Sequence, residues 1–366
     1  MEHNLLTLDF WQDTVTYGET TVPTGNLGCE ALNIPTEIIN ELDKLCLPLA
    51  QFLGSLTTSP DTPMLPAVQN NAAAIFTLLA DVPPFSCQDI PFYKGAIHTT
   101  FTKDCVQDFR AYSLALLTGT TLQDALAQHR TGALLGRLLP VLAQLGTSLR
   151  EFQNTMTAFA ESMDAPSAQR TPEGLAALFG QKFPPDQALT GDDSWMAITN
   201  TSLQYVSTLR PGAQEPMLVK RMHFVSFVGL LRTDLFEGLC VGHAPKQCPI
   251  CGRWFLTTNA RHTKYCGNRA PGDPQGRTCR QIGNLRGREH RELADNHPLK
   301  QIYERRLNTI DHNVQRGTLD EKTAAAMKRL AKNKLLRALR DADYAKGAYP
   351  AEMEQAALLA EIKQSR

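Results

Sequence analysis

Residues 248–279 read CPICGRWFLTTNARHTKYCGNRAPGDPQGRTC. Four of the nine cysteines in this 366-residue chain fall here: Cys248 and Cys251 as a CxxC pair, then Cys266 after 14 residues and Cys279 after a further 12. Nine cysteines placed at random would give on the order of 0.2 pairs at that spacing, so four within one short stretch require a chemical reason. Zinc supplies it. A d10 cation of intermediate softness takes four thiolates tetrahedrally, and two cysteines three apart on a tight knuckle present both sulfurs to one point. Two other assignments stay open from the residues alone: His262 in place of Cys279 as the fourth ligand, and no metal at all. A redox CxxC is disfavoured, because it normally sits in a βαβ setting that is missing here.

The flanking residues suit such a centre. Pro249 stiffens the knuckle, and Gly252 can turn the chain through positive φ at no steric cost. Residues 253–258, RWFLTT, have strand composition, Asn259 to His262 suit a turn, and Lys264-Tyr265 would return the chain so that Cys266 lands beside the knuckle. Knuckle, hairpin and helix in that order is treble-clef-like. Four protein ligands leave no open coordination position for a catalytic water, so Zn2+ is expected to be structural. In a helix beginning at Cys279, the 100° step per residue gathers Arg280, Asn284, Gly287, Arg288 and Arg291 on one arc, with Ile282, Leu285 and Leu293 opposite. Arginine and asparagine pair bidentately with guanine and adenine edges, and arginine also grips phosphates. Gly283 and Gly287 weaken such a helix, which a close backbone approach would rationalise.

An amphipathic helix, CPICGRWFL, a basic turn, KYC and a basic helix together resemble an uncharacterised bacterial family with a C-terminal four-cysteine module, over about Met217 to Tyr344. More distantly the stretch is similar to CGNR zinc-finger proteins, since Cys266-Gly267-Asn268-Arg269 spells that tetrad. That second resemblance implies DNA binding. The tetrad starts here at the third cysteine, and Ala270 to Arg277 stand as an apparent insertion.

Outward from the cysteines, charge is uneven. Lys plus Arg and Asp plus Glu are 37 each over the chain, yet residues 246–340 hold 21 basic against 8 acidic groups, and residues 1–245 hold 13 against 24. An acidic body thus carries a basic segment, which points to a polyanion or an acidic partner surface. The body reads as mainly helical. Ile38, Ile39, Leu42, Leu45 and Cys46 recur at helical spacing, as do residues 72–79, and residues 122–162 form a longer helical stretch that Pro140 should kink or divide. A short helix is expected at Pro172 to Phe179 inside a loop-rich connection. Phe227, Val228, Leu231, Leu235 and Leu239 mark an amphipathic helix leading toward Cys248. Residues 1–30 allow one short hairpin and little more, and Met217, Val219, Met222 and Phe224 suit a strand imperfectly. After the cysteines, one helix opens at Pro298 and closes at Gly317, a second runs from near Asp320 to about Asp343, and a last starts at Pro350.

The expected fold is therefore mainly α: an acidic helical domain (1–245), a zinc-binding hairpin and helix module (246–296), and a basic helical tail (297–366). The start MEHNLLTLDFW lacks a signal-peptide pattern, and Arg232, Asp234 and Glu237 interrupt the longest apolar run, so a cytoplasmic protein without membrane partners is expected. Cys29, Cys46, Cys87, Cys105 and Cys240 read as buried small hydrophobes. No complete catalytic constellation is found: His290, Asn296 and His297 carry the letters of an HNH nuclease without its hairpin base, and no Walker loop, GxGxxG or GxSxG occurs. Trp11, Trp195 and Trp254 suit packing more than base stacking. The leading functional expectation is a zinc-stabilised nucleic-acid-binding protein, with DNA favoured over RNA and transcription regulation as one role. Arg280, Asn284, Arg288 and Arg291 would make the contacts. The alternative is a zinc-stabilised scaffold whose basic tail binds an acidic protein surface. The sequence is silent on oligomeric state.

Overall fold

A computed structural model describes residues 5–56, 64–165, 168–183, 201–258, 263–292 and 297–364, the side chains of 287–292 and 364 lying outside the described set. The protein is mainly α, 62% helical, with 16 helices and two small sheets among the described residues. It divides into two compact units, residues 1–247 with 253–262, and residues 248–252 with 263–366. Each has a buried cluster of its own, one spanning Leu5 to Trp254 and the other Ile310 to Leu358.

The first unit opens with β1 (Thr7–Trp11), β2 (Thr14–Tyr17) and β3 (Thr20–Pro23), followed by α1 (Asn26–Ala31), α2 (Thr36–Ser55), α3 (Leu65–Leu79), α4 (Ile90–Thr100) and α5 (Lys103–Leu117). Then come α6 (Leu122–Gln128), α7 (Arg130–Ala143), α8 (Leu145–Asp164) and α9 (Pro172–Lys182). It closes with β4 (Thr201–Thr208), β5 (Met217–Phe224), α10 (Phe227–Cys240), β6 (Ala244–Gln247) and β7 (Trp254–Thr257). The expectation of one N-terminal hairpin is corrected here. β1 to β3 form a meander, and β5 and β4 complete an antiparallel sheet in the order β3-β2-β1-β5-β4. The partner strands lie some two hundred residues away, and nothing in a local pattern reports so distant a pairing. β5 looked imperfect as a strand because it is covered on both faces: Val219 is buried on one, Met222 and Phe224 on the other. Its two central charges are paired, Arg221 with Asp9 at 2.7 Å and Lys220 with Glu237 at 2.7 Å.

Pro140 does not divide the long helical stretch; it sits within α7, and the chain turns by 49° at Gln144 into α8. No single helix among the described residues is long and apolar enough to cross a membrane. The bent pair α7/α8 comes nearest by composition, and its Leu135, Leu139, Leu142, Leu149, Phe152 and Met156 are buried in the core. α10 is central. Ser226 caps it by accepting from the N–H of Gly229 at 3.2 Å, and its Asp234 is fully buried, accepting from the N–H groups of Gly25 at 2.9 Å and Gly28 at 3.0 Å. Burial pushes that carboxyl up to about 7 against those donors. The residue that interrupts the apolar run thereby closes the start of α1.

The second unit contains α11 (Cys279–Glu292), α12 (Pro298–Gln315), α13 (Glu321–Ala338), α14 (Ala342–Lys346), α15 (Tyr349–Glu352) and α16 (Gln355–Gln364). The helix expected to reach Asp343 stops at Ala338, because Asp341 starts a new one by accepting from the N–H of Tyr344 at 2.9 Å. The helix expected from Pro350 is split into α15 and α16. Several cations of α13 serve this bundle. Lys334 is buried between Glu352 at 2.6 Å and Glu361 at 2.7 Å, Lys328 pairs with Asp311, and the Arg337 guanidinium lies 4.0 Å from the Tyr344 ring centroid. That removes them from the free basic surface read from composition.

Candidate metal centre

The CxxC knuckle is the stretch of chain between β6 and β7, which pair antiparallel from Ala244↔Thr257 to Gln247↔Trp254. The expected hairpin is thus corrected: β7 pairs with the strand before the knuckle, and Lys264-Tyr265 form no strand. β6 has no strand signature in the sequence, because APKQ carries a proline and only four residues. Within the knuckle the N–H of Gly252 donates to the Cys248 carbonyl at 2.8 Å, and Gly252 takes φ of 73°, a conformation that favours glycine.

Both strands are fastened within the first unit. Arg170 donates through Nη1 to the Met163 carbonyl at 2.9 Å. Its Nη2 reaches the carbonyls of Ala244 at 2.8 Å and Pro245 at 2.7 Å and the hydroxyl of Thr257 at 2.9 Å. Asn33 acts as a surrogate strand. Its Oδ1 accepts from the N–H of Trp254 at 2.7 Å, and its Nδ2 donates to the Trp254 carbonyl at 2.9 Å. Trp254 is buried in the first unit's core, so it packs as expected. The Arg210 guanidinium lies 5.0 Å from the Trp11 ring centroid, and Trp195 lies outside the described residues.

The third and fourth cysteines are brought together by the stretch that looked like an insertion. Arg269 and Thr278 form an antiparallel bridge, and the N–H of Cys279 donates to the Asn268 carbonyl at 2.9 Å. Between them the loop is closed by Asp273, whose two oxygens accept from Arg277 Nη2 at 2.6 Å, Nε at 3.0 Å and backbone N–H at 2.8 Å. These bonds hold the Asp273 carboxyl below the usual carboxylate range. α11 then begins at Cys279 behind a capping box: Thr278 Oγ1 accepts from the N–H of Gln281 at 3.2 Å, and Gln281 Oε1 accepts from the N–H of Thr278 at 2.8 Å.

The four thiols converge. Sγ of Cys248, Cys251, Cys266 and Cys279 all lie within 4.8 Å of one another, with Cys251 and Cys266 at 3.6 Å. A tetrahedron with a zinc–sulfur bond of about 2.3 Å has edges of about 3.8 Å, so the donor set could hold a metal ion. Cys248, Cys266 and Cys279 are buried and Cys251 is half-buried. Burial works against ionisation of Cys248, but N–H groups of Cys251, Cys266 and Ile250 outweigh it and bring the thiol down to about 7. Cys266 is pushed up to about 11, chiefly by burial, and Cys279 is raised for the same reason with its neighbouring sulfurs adding. His262, the alternative ligand, lies outside the described residues.

Gly283 has a structural cause. A Cβ there would come within 2.3 Å of Cε2 of Tyr265, so the ring lies directly on the α11 backbone and ties the residue before Cys266 to the turn after Cys279. Gly283→Ala is expected to cost about 1–3 kcal/mol through this overlap. In a competitive chelator titration the variant should hold metal more weakly, and adding Tyr265→Ala should recover part of the loss; equal affinity in wild type and Gly283→Ala would contradict the contact.

Of the expected nucleic-acid contacts, Arg280 and Asn284 are exposed on α11, whereas Ile282 and Leu285 are half-buried. The side chains of Arg288 and Arg291 lie outside the described residues, although the helix backbone continues to Glu292. Lys264 and Arg269 are also exposed on the module. They belong to no helical periodicity; the Arg269↔Thr278 bridge and the Cys279 to Asn268 hydrogen bond bring Arg269 to the start of α11. Of the nuclease letters, His297 caps α12 by accepting from the N–H of Leu299 at 3.3 Å, and His290 and Asn296 fall outside the described side chains.

Residues 196–365 match a family model described as a family of unknown function, DUF6076. The matched region includes all four cysteines and agrees with the resemblance to an uncharacterised family; it adds nothing to the likeness with CGNR proteins. No curated protein and no solved structure matches the chain.

Proposed function

We propose that the protein is a zinc-stabilised nucleic-acid-binding protein, acting on DNA in preference to RNA, with transcription regulation as its role. The observation that carries the reading is what the module has for an interior. Between residues 263 and 286 the buried positions are Cys266, Ala270, Cys279 and Gly283, so sulfur stands where a core would be and a bound ion must hold the segment shut. Four thiolates suit zinc, which supplies a cross-link and retains no open position for a reactive water. What the cross-link supports is a helix presenting Arg280 and Asn284 to solvent, with Arg288 and Arg291 following at helical spacing and Arg269 and Lys264 nearby in sequence.

Titration of a fluorescently labelled random-sequence duplex with the zinc-loaded full chain tests this. Log affinity should fall linearly with log salt, and Ala at Arg280, Arg288 or Arg291 should each flatten the slope by about 1. Asn284→Ala should leave the slope alone and relax base preference, at about 1–3 kcal/mol for the affected base pair. Absence of binding to duplex or single strands at low salt, with zinc content confirmed, would overturn the proposal and leave an acidic protein surface as the partner to seek.

A further inference from the structure

The two edges of the five-stranded sheet are treated differently. β3, at one edge, has four residues and ends in Pro23, a short strand with a residue that cannot extend the ladder. β4, at the other, runs eight residues as TSLQYVST, without charge, proline or glycine, and pairs with β5 without a bulge from Thr201↔Phe224 to Thr208↔Met217. Its outer edge meets no other strand among the described residues. Natural edge strands are blunted by shortness, lysine, proline or bulges, and β4 has none of these. It also displays Leu203 at 49% and Tyr205 at 67% exposure, beside Leu218 of β5 at 67%.

We infer that the open edge of β4 is a homodimer interface, where two copies of the chain pair β4 against β4 across a two-fold axis to make one continuous sheet. The backbone fixes which groups take part. The N–H of Phe224 donates to the Leu6 carbonyl at 2.8 Å, on the β1 side. Phe224 therefore faces away from β4, and its partner Thr201 faces away from β5. By alternation the N–H and C=O groups of Thr201, Leu203, Tyr205 and Ser207 line the open edge.

A second copy fits that edge on geometric grounds. A two-fold axis perpendicular to the sheet runs the strands antiparallel and keeps the two faces of the sheet in common, so outward-facing residues must meet outward-facing residues. The register with the axis at Gln204 does so and sets Leu203 against Tyr205 of the other copy, twice, with Thr201 against Ser207. An aromatic ring and an aliphatic chain make a favourable cross-strand pair. An uncharged strand carries no like-charge repulsion into its own image.

Light scattering on the zinc-loaded 366-residue chain at about 100 µM, where a specific interface is populated, should give twice the chain mass of 40.5 kDa. Tyr205→Lys should return the mass to that of one chain with unchanged circular dichroism. Leu203→Pro should do the same, because it deletes an N–H that faces away from β5. Gln204→Cys places two sulfurs at a non-hydrogen-bonded pair, with Cα atoms about 4.5 Å apart, within disulfide range. Oxidised glutathione should link it into a covalent dimer whose cross-linked peptide contains residue 204. A monomeric wild type, or a dimer that survives both β4 variants and yields no link at 204, overturns the inference.

Discussion

Cys279→Ser is expected to strip the second unit of its metal and unfold residues 263–292, while the helical body keeps its structure. The reason lies in where apolar burial is found. The first unit's core runs from Leu5 to Trp254 and the second unit's helical cluster begins at Ile310, so neither includes the segment around the cysteines. On the proposed zinc-bound reading that segment would rely on its ion; in isolated zinc-finger peptides metal binding contributes roughly 10–16 kcal/mol to folding. Serine preserves size but offers a poor ligand for a soft site. Zinc content should fall from one per chain toward none, and hydrogen exchange should lose protection across α11 while α2 and α8 remain protected. Retained metal and retained protection would refute the assignment of Cys279. Loss of metal in His262→Ala instead would establish the other ligand set.

Arg170→Met is expected to destabilise the first unit by about 3 kcal/mol, because the Met163 and Pro245 carbonyls lose this donor while the Ala244 carbonyl keeps the Thr257 hydroxyl, and buried unsatisfied acceptors cost roughly 1–3 kcal/mol each before water relieves some of them. The side chain is only 18% exposed, and burial lowers its pKa against the opposing pull of Asp164. Its planar fork reaches Ala244, Pro245 and Thr257 from one nitrogen and Met163 from another, a geometry that an ammonium does not reproduce, so Arg170→Lys should recover little. The denaturant midpoint should drop with an unchanged slope, and amides of β6 and β7 should exchange faster. A midpoint within experimental scatter of wild type would show that the strands flanking the knuckle do not depend on this contact.

The site was legible in proportion to how local its chemistry is. Cysteine spacing identified the four converging thiols, because groups within 32 residues of one another leave their pattern in the sequence. Gly283 could be flagged as anomalous, but its cause, the ring of Tyr265, depends on folding the chain back through the Asp273–Arg277 loop. Arg170 and Asn33 left no signal at all. One lies in a loop and the other between helices, and their partners are backbone atoms, which carry no residue-specific mark.

By itself the sequence determined most of the helical stretches, though not α1, α4 or α5, through hydrophobic periodicity, together with the cysteine cluster and the concentration of basic residues after position 246, for these depend on residues within a few turns of one another. Only the tertiary structure decided that β1 joins β5 and that β4 meets no further strand on its outer edge among the described residues. It also decided that the knuckle's strands pair with each other, and that Lys334 and Arg337 are occupied within the helical bundle. Strand pairing and ion pairing join residues distant in the chain by groups that every residue shares or that many could supply, so their outcome is settled by which surfaces meet and not by any local pattern.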